Sequence, residues 1–170
     1  HYTCPRPHLS HWASAETLVD PKLAESISLM RTMSGSTLGL ELEERYRTAI
    51  LSRLGDGLYW DLYNPKRPWR NSYSEGFYGK GNAEDFCTLP GAGRMMRTLM
   101  IWRELGAQPE RMEAEIRALA EGLLRIAVRK RDYAYYPERG GWGEPCAYPR
   151  SGWLNTDEAQ GETEGGEGSV

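Results

Sequence analysis

Four segments with the period of an α-helix are joined by connections that alternate in length, and this alternation restricts the arrangement of the chain more than any single motif. Asp20-Pro21 supplies a capping acceptor followed by a residue whose missing N–H is not needed at a first helical position. Leu23, Ala24, Ile27 and Met30 then follow at helical spacing until Gly35. A second stripe, Leu38, Leu42, Tyr46, Ile50, Leu51 and Leu54, ends at Gly55, with Glu41, Glu43, Glu44, Arg45 and Arg47 mostly assigned to water. The third segment carries Pro90, Gly91 and Gly93 early and Met96, Leu99, Met100 and Trp102 late. In the fourth, Met112, Ile116, Leu119, Ala120, Leu123, Leu124 and Ala127 form one broad stripe, and Arg125, Arg129, Lys130 and Arg131 suit the negative end of its dipole. The predicted helices span 21–34, 37–54, 85–105 and 109–130.

Turns as short as those at 35–36 and 106–108 leave no choice but antiparallel neighbours. The two long connections, 55–83 and 131–168, both follow even-numbered helices and therefore leave from the same end of the array. Connections of more than about 15 residues are uncommon in compact domains unless they serve a function. Both are dense in aromatic residues, and Asp56-Gly57-Leu58-Tyr59-Trp60 is echoed by Asp132-Tyr133-Ala134-Tyr135-Tyr136. The expected fold is all-α: antiparallel helical hairpins with aromatic loops gathered at one end, in a single domain over 1–170. The two loops should touch.

The formal charge of −3, with acids and bases interspersed, makes no basic field for phosphates, so no nucleic-acid partner is expected. No run of about 18 apolar residues exists, so no membrane span is expected either. Cys4, Cys87 and Cys146 are too few and too scattered for a disulfide framework, and no Asn-x-Ser/Thr acceptor is present, so cytoplasmic and secreted settings both fit. Cys4, His8 and His11 are three candidate ligands of the types that zinc takes, but two prolines interrupt them and no second pair stands at finger spacing. The acids of 157–167 lack the alternation of a calcium loop, and Gly91-Ala92-Gly93-Arg94 lacks the strand and third glycine of a nucleotide turn. No metal and no cofactor are assigned.

The phrase Gly140-Gly141-Trp142-Gly143-Glu144-Pro145 leads to Tyr148-Pro149-Arg150-Ser151-Gly152-Trp153. With two helical hairpins and aromatic, carboxylate-rich loops at one end, the chain resembles the α/α-toroid carbohydrate-active enzymes, the six-hairpin glycosidases and related polysaccharide lyases. The resemblance covers about 20–170 and lies in architecture and style of loop. It implies part of a larger toroid, an oligo- or polysaccharide ligand in a depression lined by aromatics, and acids from the loops as catalysts.

Glycosidic cleavage takes two carboxyl groups, about 5–5.5 Å apart for retention or about 6.5–9.5 Å for inversion. Glu144, beside Trp142, is the first candidate for the acid, and Asp157, Glu158 and Glu164 are candidates for its partner. Sugar rings present C–H faces to aromatic side chains and hydroxyls to polar ones. Trp60, Trp69, Tyr135, Tyr136, Trp142 and Trp153 are the candidate subsites, and Arg150 a candidate fork for a sugar carboxylate or for neighbouring acids. A glycoside hydrolase is the leading expectation. The alternatives are a non-catalytic helical-repeat binding module and a toroid lyase with a tyrosine base.

Overall fold

The computed structural model describes residues 16–62, 84–137, 147–153 and 156. Among them four helices form: α1 (Glu16–Ser34), α2 (Leu40–Leu51), α3 (Leu89–Glu104) and α4 (Pro109–Ile126). The sharp turns hold each pair antiparallel, and α1 and α4 both pack against α3, with α2 outermost against α1. Leu99, Met95 and Trp102 of α3 meet Met112 and Leu119 of α4, and all five are essentially inaccessible to water. Each such side chain contributes about 1.5–3 kcal/mol by leaving water, which makes α3 and α4 the centre of the fold.

The first hairpin departs from its apolar pattern. Asp20 does not cap α1, which begins at Glu16 and carries Pro21 inside it. Instead Asp20 is buried with its carboxylate 3.9 Å from the Arg53 guanidinium, which lies equally far from Asp61. The Thr98 hydroxyl sits 3.0 Å from the carbonyls of both Pro21 and Arg94, tying α1 to α3. Ser28 and Glu43 are also buried, although Glu43 belongs to the set expected in water. Ser28 Oγ donates to Glu43 Oε1 (2.8 Å), Arg31 Nε to Oε2 (2.5 Å) and Arg47 to Oε1 (3.1 Å), while the Trp102 indole N–H donates to Ser28 Oγ (2.9 Å). This network sets the inner side of both helices, so that Leu23, Ile27, Met30 and Leu42 face water rather than the core, while Leu38 is exposed in the turn before α2.

The expectation of an all-α toroid is overturned. Among the described residues three antiparallel strand pairs accompany the helices, giving mixed α and β content: β1 (Leu54–Gly55) with β2 (Leu58–Tyr59), β3 (Phe86–Thr88) with β6 (Ala147–Pro149), and β4 (Val128–Arg129) with β5 (Ala134–Tyr135). The physical reason is that chain passing over a core must pair its N–H and C=O groups, and short ladders do this where no helix can form. Thus α2 stops at Leu51 and α4 at Ile126, several residues before their predicted ends, and α3 starts at Leu89 because residues 86–88 are taken into a strand. Asp56 and Gly57, with φ of 53° and 72°, make the two-residue turn between β1 and β2. Both positive angles match the turn whose twist fits a hairpin, and Asp-Gly is its usual sequence.

Cys87, in β3, is wholly buried, and desolvation pushes its thiol up to about 12 despite a backbone bond near Tyr59. A thiol held this far from the thiolate is a poor nucleophile. Native protein treated with iodoacetamide at neutral pH should therefore carry no label on the Cys87 peptide, and label there before denaturation would contradict the packing of β3.

Candidate functional site

The two long connections meet. β3 pairs with β6 in the register Phe86↔Pro149, Cys87↔Tyr148 and Thr88↔Ala147, and Asp61 bridges Phe86 on the other side. Leaving β6, Arg150 donates its backbone N–H to the Asp85 carbonyl (2.9 Å) and turns its side chain across the junction. Its guanidinium donates to Asp85 Oδ2 (2.6 Å) and Asp56 Oδ2 (2.7 Å), and it lies 4.6 Å from the centre of the Trp60 ring. Of these causes, the hydrogen bond to Asp56 is foremost in raising the Arg150 pKa above its already high ordinary value, with Asp85 next. Beside it, Ser151 donates its backbone N–H (2.8 Å) and hydroxyl (3.0 Å) to the two oxygens of Glu84.

Tyr148 connects this ionic group to a line of aromatic rings. Its ring centre lies 6.3 Å from that of Trp60 and 4.9 Å from that of Trp153, the latter edge to face at 69°. Trp60 is buried to 4% exposure and donates its indole N–H to the Gly55 carbonyl (2.9 Å), so it forms the floor under Arg150. Tyr148 and Trp153 are half-buried. Trp153 donates to the Ile126 carbonyl (2.7 Å) at the end of α4, and Tyr136 to that of Leu123 (2.9 Å), which caps helical C=O groups that have no partner within the helix. Burial, foremost, raises the Tyr136 phenol above its ordinary range. Tyr135 lies farther along the second connection, where its hydroxyl donates to the Thr156 carbonyl (2.7 Å).

Of the eleven residues singled out in the sequence, Trp60, Arg150 and Trp153 come together at this junction, while Tyr135 and Tyr136 flank it on the β5 side of α4. Glu144, Asp157, Glu158, Glu164, Trp69 and Trp142 lie outside the described residues, as do Cys4, His8 and His11. The sequence marks Tyr148 as one of the aromatic residues of the second connection, and Glu84 and Asp85 as acids of the first that could face it, without giving them a place among the site residues, and it gives no role to Asp56 or Ser151. One signal was available for Asp56: Asp-Gly after an apolar run marks a hairpin turn, and a turn tip is where a side chain projects freely.

Two carboxylates, Asp56 and Asp85, hold the Arg150 guanidinium, Glu84 accepts from Ser151 beside it, and Arg125 donates to the Asp56 carbonyl. With both edges of its fork occupied, Arg150 holds the two connections together. Among the described residues no three His, Cys, Asp or Glu side chains stand so as to hold a metal ion, and no helix is long and apolar enough to cross a membrane. Compared with models of known families, with curated proteins and with solved structures, the chain finds no match.

Proposed function

We propose that the rim binds a neutral oligo- or polysaccharide and that the chain acts as a glycoside hydrolase. The observation that supports this reading is the convergence of both long connections on Tyr148, Trp153 and Arg150, which puts half-buried aromatic side chains within one rim of carboxylates. A sugar needs this pairing, ring faces for its C–H groups and charged acceptors for its hydroxyls. The engagement of Arg150 by Asp56 and Asp85 favours neutral over acidic sugars, because a uronate carboxylate would meet these two carboxylates at a fork that is already occupied. The catalytic pair falls to Glu144 with Asp157, Glu158 or Glu164 on the sequence argument alone.

Affinity electrophoresis through gels containing neutral polysaccharides, with polygalacturonate as the acidic comparison, tests the binding. Retardation is expected in one or more neutral gels, and Tyr148→Ala should weaken it by about tenfold, equivalent to about 1.4 kcal/mol, with an unchanged circular dichroism spectrum. Release of reducing ends should vanish in Glu144→Gln while binding persists. If no neutral polysaccharide retards the chain, the reading fails. Binding without release in the unsubstituted chain would instead favour the non-catalytic module, a reading that also draws on the commitment of the described acids to Arg150 and Ser151.

A further inference from the structure

The first hairpin buries polar groups and exposes apolar ones. Leu23 and Ile27 are 42% and 41% exposed, Met30 69% and Met33 86%, and around the turn Leu38 is 90%, Leu40 45% and Leu42 66% exposed. Leu40 lies about 200° around α2 from Leu42, on another side, and the remaining six side chains leave on the order of 700 Å² in water, close to the area each partner contributes to a standard interface. The largest apolar patch of an ordinary monomer is about 300–600 Å². α2 is the outer helix of the array, so no described element covers this side.

We propose that this side of α1 and α2 is a dimer interface, occupied by the same hairpin of a second copy. Leu23, Ile27 and Met30 are spaced by four and then three residues, the spacing that makes a seam between two helices. The seam is nearly symmetric about its middle. An antiparallel copy sets Leu23 against Met30 in both directions and leaves Ile27 near the two-fold axis, as a self-complementary interface requires. No charge lies between the three residues: Lys22 and Ser26 are the exposed polar neighbours, and Arg31, at the edge, is already bonded to Glu43. Association therefore removes apolar surface from water while the long Lys22 stem lets its ammonium stay in water at the rim. Met33 and Leu38, at the turn, close one end of the contact in each copy. This inference is independent of the saccharide reading, because the rim lies beyond the opposite end of α2.

Sedimentation velocity from dilute to concentrated solution reads the association directly. The unsubstituted chain should pass from monomer to dimer, and Ile27→Glu and Met30→Glu should each weaken the dimer by at least about tenfold. Met33→Glu, at an 86% exposed apolar position of α1, leaves the fold nothing to lose and should weaken association as well. Leu124→Glu, at an equally apolar and 58% exposed site on α4, should leave it unchanged. Thermal melts followed by circular dichroism establish that each variant is folded. A chain that stays monomeric throughout, a Met33→Glu variant that dimerises as before, or an equal loss in Leu124→Glu would each overturn the proposal.

Discussion

Gly122→Ala is expected to destabilise the protein by about 3 kcal/mol, at the upper end of what overpacking does, and to weaken saccharide binding with it. The cause is an approach of backbone to backbone. A Cβ on Gly122 of α4 would lie 1.8 Å from the Gly57 carbonyl oxygen and 2.6 Å from its carbon, and neither atom belongs to a side chain that can swing aside. Gly57 is constrained from the other direction, since its own Cβ would stand 2.7 Å from the Ala118 carbonyl oxygen. Arg125 fastens the same turn by donating to the Asp56 carbonyl. Moving the turn off α4 therefore moves Asp56, and with it one of the two carboxylates that hold Arg150 over Trp60. Urea denaturation measures the loss. Gly106→Ala is the comparison: it has φ of 78° but open space around it, so only the left-handed backbone is penalised, by about 1 kcal/mol. Equal losses in the two variants would mean that the contact between turn and helix is not there.

Glu43→Ala should cost about 3 kcal/mol, the low end for removing one member of a buried ion pair. Its side chain is 5% exposed while Arg47 and Arg31 are 11% and 28% exposed, so one guanidinium stays nearly dry and the other retains some water after the carboxylate is gone. The bond from Ser28 goes too, and Ser28 is the group that receives the Trp102 N–H. Stability should also depend on acid through this group. Burial raises the Glu43 pKa, but the bonds from Arg31 and Ser28 and the charges of Arg31 and Arg47 outweigh it, so the net position is below the usual carboxylate range. A folded value below the unfolded one adds stability that is fully present above the unfolded value, about 4.3, and is lost as pH falls through the folded value. Acid titration of the unfolding free energy should accordingly be flatter below about pH 4 in Glu43→Gln than in the unsubstituted chain. Parallel curves would show that Glu43 is not held ionised by the two arginines.

The site was legible in part. Trp60, Arg150 and Trp153 could be picked out because large aromatic and guanidinium groups on long connections need a reason to be there, and the alternation of connection lengths brought the two loops to one end. Their separate roles were not legible. Trp60 lies under Arg150, and whether a tryptophan faces water or underlies a cation depends on a residue 90 positions away in the chain. Asp56, Asp85 and Glu84 looked like ordinary loop acids because their partners, Arg150 and Ser151, arrive from the other connection.

By itself the sequence determined where helices occur, that they form two antiparallel hairpins, and which end the long connections share. Those properties follow from local periodicity, from turns too short for any other path, and from the parity of the helix order. Only the tertiary structure decided which side of α1 and α2 is buried. Periodicity assigns apolar residues to the inside, yet here Trp102, Arg47 and Arg53 offer hydrogen bonds and charge to Ser28, Glu43, Asp20 and Asp61, and these polar partners set the inner side of both helices. The short strands were decided at the same level. A ladder between residues 86–88 and 147–149 exists only when both connections are laid against the same core, and no local pattern in either carries the other's register.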